Sequence, residues 1–347
     1  MKHIIGVNPA PLTPQVTTLI VDENASGQRL DNFLMRHLKG VPKTHVYRII
    51  RSVEVRLNRG RAAADSRVEA GDAVRLPPVR TSERAAEKTQ AMANELARGV
   101  PARDFAVLFE DDWLIAIDKP AGVAVHGGSG VSFGVIEQLR MARPQAKFLE
   151  LVHRLDRDTS GILLIAKKRS ALTHLQDQFR ERETGKTYLA LVSGQWPANK
   201  KVLDKPLFKY LLDAKVGAAG AGERRVKVVS RDDPNGMPSV TLVKIRETLA
   251  TGFTLLEVTI KTGRTHQIRV HLASEGFPIA GDDKYGDFEL NKKLMRDGKL
   301  PALKRMFLHA WRLQFNHPGS GERVELLAQL PNELGAFANH ATPTAPQ

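Results

Sequence analysis

Two carboxylates stand in the run Leu151-Val152-His153-Arg154-Leu155-Asp156-Arg157-Asp158-Thr159-Ser160-Gly161, with Arg154 and Arg157 beside them and Lys167-Lys168-Arg169 downstream. Apolar residues stop at Val152 and resume from Ile162 to Ala166, so the pattern predicts a polar loop between two buried strands. A carboxylate held among arginines on such a loop could be catalytic, since polar loops between buried strands are where catalytic groups tend to be placed. The same residues also suit a turn closed by Asp-Thr-Ser-Gly, with each aspartate paired to a neighbouring arginine. Spacing alone leaves both readings open and does not choose between Asp156 and Asp158, although Asp158 is the better turn-former.

A second element is Thr262-Gly263-Arg264-Thr265-His266-Gln267-Ile268-Arg269-Val270-His271-Leu272. It follows an alternating stretch in which Leu256, Val258 and Ile260 take one strand face. Gly263 breaks that strand, Thr265 is the expected N-cap, and Ile268 and Leu272 would pack a new helix onto the sheet. Arg264 and the N–H groups of the first turn then form a candidate phosphate site. Zinc is not the expected use of His266 and His271, since five residues do not place them on one helical face and no third ligand is near in sequence. Tyr188, in Gly185-Lys186-Thr187-Tyr188, reads by pattern as a core residue. His126-Gly127-Gly128-Ser129-Gly130 suggests a backbone nest for an anion, without the lysine and hydroxyl of a nucleotide-binding loop.

The elements that must carry these groups form two regions. Short apolar strands at Phe105–Phe109, Leu114–Ile117, Leu149–Val152, Ile162–Ala166, Tyr188–Val192, Val240–Ile245 and Phe253–Ile260 lack a strict strand–helix alternation. They predict an α+β domain on a mainly antiparallel sheet, over residues 104–330. Residues 21–80 form a smaller basic unit. Leu30, Phe33, Leu34 and Leu38 give one amphipathic helix, and Pro42 opens a second. A strand at 53–58, an Asn58-Arg59-Gly60 turn and a closing strand at 73–76 complete helix, helix, hairpin. Lys43, Arg48, Arg51, Arg56, Arg59 and Arg61 crowd its middle as candidate RNA contacts. Alanine-rich, mixed-charge residues 81–103 read as a linker, 216–222 as a flexible loop, and 1–20 and 331–347 as flexible tails.

Composition narrows the partner. The 52 Lys and Arg outnumber the 38 Asp and Glu, a net charge of +14, which favours a polyanion such as nucleic acid. No apolar run approaches the roughly 20 residues of a membrane span, and no secretory signal pattern opens the chain. No basic amphipathic helix suggests a membrane surface. With no cysteine there is no disulfide, thiolate nucleophile or cysteine-type zinc site. A cytoplasmic protein is expected.

Residues Leu30 to Leu76 resemble the RNA-binding module first seen in ribosomal small-subunit protein four. The resemblance departs at Val53, where that module commonly has a glycine, so this turn is expected to be built differently. The longer motifs resemble the RluA family of pseudouridine synthases. These are Asp118-Lys119-Pro120-Ala121-Gly122, the run from His153 to Gly161, Lys186-Thr187-Tyr188, the run from Gly263 to His271, and Leu308-His309-Ala310, in that order. Ala124–Gly130 and Gly281-Asp282-Asp283-Lys284-Tyr285-Gly286-Asp287 look most like a branch whose members modify large-subunit ribosomal RNA.

The resemblance, not the spacing, implies roles. Asp156 matches the catalytic nucleophile and Asp158 becomes a turn residue. Tyr188 matches the tyrosine that stacks on the target base, and Arg269 the arginine that pairs with the carboxylate. Arg154, Arg264 and His266 are implied RNA contacts. The implied reaction moves a uracil from an N-glycosidic to a C-glycosidic bond after base flipping; it neither oxidises nor releases a group, so no cofactor and no metal are expected. The expected partner is structured RNA, and the protein is expected to be a monomer. Transfer RNA is the alternative substrate, and a non-catalytic ribosome-associated RNA-binding protein the alternative class.

Overall fold

The computed structural model describes residues 16–22, 25–38, 41–79, 102–127, 133–212, 223–296 and 301–340. The tail before Val16, nearly all of the expected linker, the glycines after Gly127 and the 216–222 loop lie outside the described residues. The chain divides into two units, Met1–Pro101 and Ala102–Gln347.

In the first unit the order is β1 (Thr17–Ile20), β2 (Gln28–Arg29), α1 (Leu30–His37), α2 (Lys43–Arg51), β3 (Arg56–Leu57), β4 (Arg67–Val68) and β5 (Ala73–Leu76). The helical spacing of Leu30, Phe33 and Leu34 buries one face of α1 against Val46, Ile49 and Ile50 of α2. Strands β1, β5 and β3 form an antiparallel sheet in that order. The expected tail is therefore shorter than 1–20, because Thr17–Ile20 pairs along Ala73–Leu76. The turn after α2 also corrects an expectation. Val53 adopts φ 60, the left-handed conformation that glycine would supply. The Glu54 and Val55 N–H groups both bond Ile49 C=O, so helix termination and burial of Val55 outweigh a backbone strain of about 1 kcal/mol.

The second unit continues with β6 (Val107–Glu110), β7 (Leu114–Lys119), α3 (Val135–Ala142), β8 (Glu150–Leu151), β9 (Ser160–Ala166), α4 (Arg169–Glu181) and β10 (Gly185–Ser193). Then come β11 (Val202–Asp204), β12 (Leu207–Leu212), β13 (Glu223–Val228), β14 (Val240–Thr248), β15 (Phe253–Ile260) and α5 (Gln267–Ser274). It ends with α6 (Phe288–Leu294), β16 (Leu308–Asn316), β17 (Arg323–Leu327) and α7 (Asn332–His340). One sheet runs β11-β14-β15-β10-β16-β9-β7-β6, with β17 beside β16 and β8 beside β9. All its neighbours are antiparallel except β16 and β9, which makes the unit α+β on a mainly antiparallel sheet. Helix α7 corrects the expected tail at 331–347: Leu334 and Phe337 are fully buried in the core formed with β10 and β15. Among the described residues no helix is long and apolar enough to cross a membrane.

Candidate active site

The loop between β8 and β9 carries Asp156, and it is fastened from two sides. On one side the Lys119 ammonium, fully buried at the end of β7, donates to the carbonyls of Pro120 (2.8 Å), Val123 (2.8 Å) and Arg157 (3.0 Å). Burial pushes Lys119 down to about 7, while three carbonyl acceptors call for all three of its protons. The Gly122 N–H also donates to Arg157 C=O, so the residue after Asp156 is held twice. On the other side β9 runs parallel to β16, and Gly161 has φ 109 with Ala310 pressed against it. A Cβ there would lie 2.3 Å from the Ala310 carbonyl oxygen, so only glycine allows this approach.

Leu308-His309-Ala310 gains its meaning from that contact. His309 Nε2–H donates to Ala328 C=O (3.2 Å), leaving Nδ1 to accept from the Ser160 hydroxyl (2.9 Å). Arg305 donates in turn to Ser160 Oγ at 2.6 Å. Burial pushes His309 down to about 4, which keeps this chain neutral at the imidazole. His153 is likewise pushed down to about 4 by burial and accepts the Leu164 N–H at 3.1 Å. It is a brace of the loop, stacked on Phe179.

Asp156 itself is partly open, and its Oδ2 lies 3.4 Å from Arg269 Nη1. Arg269 is only 3% exposed and forks onto Asp282, itself 1% exposed, through two 2.7 Å hydrogen bonds. Asp283 takes a weaker contact at 3.3 Å. Burial works against the charge of Arg269, but the Asp282 bonds and the charges of Asp282, Asp156 and Asp283 outweigh it and raise its pKa. Asp282 is fixed further by the N–H groups of Lys284 and Tyr285 (2.8 and 3.0 Å). One N–H edge of the guanidinium is thus left for Asp156, in a direction Asp282 determines. Asp158 is not part of this arrangement. It pairs with Arg157 at 3.1 Å on the rim, and it is the Asp156 carbonyl that closes the turn with Thr159 N–H.

Helix α5 begins differently from expectation. Thr265 is exposed and caps nothing; the N-cap is His266, at φ 53, with no side-chain cap bond. Buried Gln267 does the work instead. Its carbonyl accepts from Thr262 Oγ1 and the Arg264 N–H, and its amide donates to Val240 C=O and Thr241 Oγ1. The left-handed residue brings the His266 ring beside Asp156, Nε2 to Oδ2 being 3.9 Å. Tyr285 Oη accepts from Val226 N–H (3.0 Å) and meets His266 Nδ1 at 2.8 Å. The simplest proton placement has the phenol donating to Nδ1, which leaves the proton of His266 on the nitrogen facing Asp156. Burial lowers the pKa of His266 and Asp156 opposes that shift. His271 is engaged elsewhere, between Thr241 Oγ1 and Lys205 C=O.

Tyr188 lies across a cavity of about 600 Å³ that Asp156, Arg269, Ile260 and Leu308 also line. It is no ordinary core residue: the β10–β16 register shifts between Thr187 and Tyr188, leaving Trp311 as the extra residue on β16. Such a bulge re-aims a side chain. Burial, and then the Asp156 charge, raise the Tyr188 phenol, so it stays neutral near pH 7. A second cavity of about 560 Å³ meets the first at Asp156, with Arg154, Arg157, Arg264 and Lys284 around it. Arg154 is exposed at this junction, and Arg264 makes one long bond, to Pro238 C=O at 3.4 Å. Of the expected anion nest only His126 and Gly127 are among the described residues, and the Gly127 and Gly134 N–H groups both donate to Glu137.

The structure therefore gathers Asp156, Tyr188, Arg269, Arg154, Arg264 and His266 around one pair of cavities. Lys43, Arg48, Arg51, Arg56, Arg59 and Arg61 belong to the other unit. There Arg48 pairs with Glu54 (3.2 Å), and Arg56 and Arg59 line a groove with Arg75. Sequence reading gave no role to Asp282, Tyr285, Lys119 or Lys186. The signal was present in the run Gly281–Asp287, whose contribution depends on a contact 13 residues away in sequence.

Comparison with known proteins identifies the family. Residues 113–274 match the family model described as RNA pseudouridylate synthase. The ribosomal large subunit pseudouridine synthase C of Salmonella typhimurium is 50% identical over 322 residues, covering 93% of this chain and 95% of the relative. The protein of that name from Haemophilus influenzae is 48% identical over 330 residues, covering 95% and 96%. Among solved structures, human RNA pseudouridylate synthase domain containing 4 aligns with TM-score 0.54 and 25% identity over 74% of this chain and 97% of its own. Human RNA pseudouridylate synthase domain containing 1 has the same fold, at TM-score 0.53 and 24% identity over 71% and 93%. Identity near one half over nearly the whole length makes this chain a member of the RluA family of pseudouridine synthases, isomerases that act on RNA.

Proposed function

We propose that this protein converts uridines of large-subunit ribosomal RNA to pseudouridine, with Asp156 as the nucleophile. The observation that carries the reading is a partly open carboxylate at the meeting of two cavities, backed by an arginine that another carboxylate holds in place. The substrate class follows the relatives, whose names specify the large ribosomal subunit.

The target uridine leaves its stack, at a cost of a few kcal/mol, and enters the Tyr188 cavity. Arg154, at the junction, lies against the RNA it has left. Asp156 then opens the bond between N1 and ribose C1′. The uracil turns within the cavity, C5 joins C1′, the C5 proton departs and N1 gains one. Arg269 sets a fixed opposite charge beside Asp156 while the bound base excludes water. Its 3.4 Å approach leaves the carboxylate lone pairs available for attack. Tyr188 stacks on the base, and its neutral phenol suits it to pass a proton rather than hold a charge. Arg264 and His266 meet the RNA backbone, and the exposed arginines of the N-terminal unit add phosphate contacts that offset the flipping cost.

Mapping pseudouridine across total RNA with and without the protein tests the address. The expected result is loss of sites confined to large-subunit ribosomal RNA. Loss confined to transfer RNA would overturn the substrate, and no lost site anywhere would overturn the activity.

A further inference from the structure

Lys186 lies in the wall of the larger cavity, two residues before Tyr188 on β10. Both side chains line that cavity. The lysine is 8% exposed, yet among the described residues its ammonium has no ion-pair partner and makes no hydrogen bond. What it has is the Phe179 ring, with Nζ 5.2 Å from the centroid, and Phe179 is itself stacked on His153. Nearby charges make matters worse rather than better: burial, then Arg182 and Lys261, disfavour the charged form. Arg182 also lines the cavity, as does Arg180, which is paired with Asp177. A buried cation is normally paired, so one left among other cations and facing open space marks a place where an anion is missing.

We propose that Lys186, set on Phe179 and supported by Arg182, is a subsite for one backbone phosphate adjoining the target nucleotide. The inference rests on the RNA reading above and adds to it a second point of attachment in the wall of the same cavity. The aromatic ring holds the lysine stem in place before RNA arrives, so little side-chain freedom is lost on binding. With the base against Tyr188, an adjoining phosphate on Lys186 fixes the direction in which the strand leaves the pocket. Lys186 is then a specificity-determining residue for strand path and takes no part in bond making.

The test uses the full-length protein and an RNA fragment containing a uridine it modifies in the mapping experiment. Neutral methylphosphonate linkages are placed one at a time on either side of that uridine. For the wild type, one linkage is expected to weaken binding about tenfold, the scale of one charge-assisted contact. Lys186→Met should weaken binding of unmodified RNA about tenfold, lower the slope of log affinity against log salt by about 0.7, and lose sensitivity to that one linkage. Lys186→Arg should keep the sensitivity. Melting temperature is the structural control and should not fall in Lys186→Met, because an unpaired buried charge is removed. A wild type indifferent to every neutral linkage overturns the proposal, as does a Lys186→Met protein that keeps full affinity or wild-type sensitivity. A wild type that modifies no RNA at all instead overturns the function proposed above.

Discussion

Arg48 and Arg269 carry the same charge in opposite surroundings. Arg48 stands on α2 of the N-terminal unit, 57% exposed, with a single ion pair to Glu54. Such a surface pair contributes at most about 1 kcal/mol, and a phosphate can replace the glutamate with little loss. Arg51, Arg59 and Arg61 are similarly exposed. Arg269 is buried, forked onto Asp282 and unable to leave without stranding a charge. In the proposed function the first kind of arginine attracts RNA at long range and in a salt-sensitive way. The second recognises nothing; it aims a field at Asp156. Burial and the number of fixed partners, rather than residue type, separate the two roles.

Substitutions can break this contrast in graded ways. Asp156→Asn removes the group that Arg269 serves, and pseudouridine formation should fall by about ten-thousandfold or more while RNA affinity stays within a few-fold. Retained turnover in a tritium-release assay would show that the nucleophile lies elsewhere. Asp282→Asn leaves the nucleophile and frees the arginine. Turnover at saturating RNA should fall by about a hundredfold, and stability by about 3 kcal/mol in denaturant titration. Wild-type turnover in this variant would mean that Arg269 needs no orienting partner.

Acid probes the two most deeply shifted histidines. His153 and His309 are held near 4, below the ordinary value of 6.5, so the unfolded chain takes up protons first as pH falls. Their stabilising contribution is complete above about pH 6.5 and is lost as pH falls toward about 4, on the order of a few kcal/mol for both. Melting temperature measured from pH 7 to 4.5 should decline accordingly, and a flat profile would contradict the assignment. In the exposed region, Arg48, Arg51 and Arg59 changed together to Ala should weaken RNA binding about tenfold at moderate salt. The salt slope should drop by about 2, with the effect on KM rather than turnover. The smallest expected effect is Val53→Gly, which relieves the left-handed valine and should raise stability by about 1 kcal/mol or less.

The strands and helices that carry Asp156, Tyr188 and Arg269 were legible because apolar alternation and helical spacing are local signals. Element ends were less so. Thr265 has the composition of a cap, but Gln267 reaches four groups that only the folded sheet brings together. Val53 has the wrong side chain for its conformation, and the winning term is the burial of its neighbours. Helix α7 was missed because Asn332–His340 is short and its Leu334 and Phe337 reveal their purpose only beside β10 and β15. In the site, the choice of Asp156 over Asp158 came from family likeness. In the structure Asp156 lines both cavities and meets Arg269, whereas Asp158 lines only the second and pairs with Arg157. Asp282 and Tyr285 act through contacts remote in sequence, which no spacing rule reports.

The Tyr285 hydroxyl has a consequence for measurement. It joins a backbone amide of β13, Val226 N–H, to the ring nitrogen of His266. When His266 gains a proton, Nδ1 ceases to accept and the phenol must turn its own hydrogen elsewhere. The amide of Val226 then bonds to a differently polarised oxygen. Its nitrogen-15 shift and its hydrogen-exchange rate therefore report the charge state beside Asp156 from a valine that takes no part in the chemistry, a built-in gauge readable while RNA fills the site.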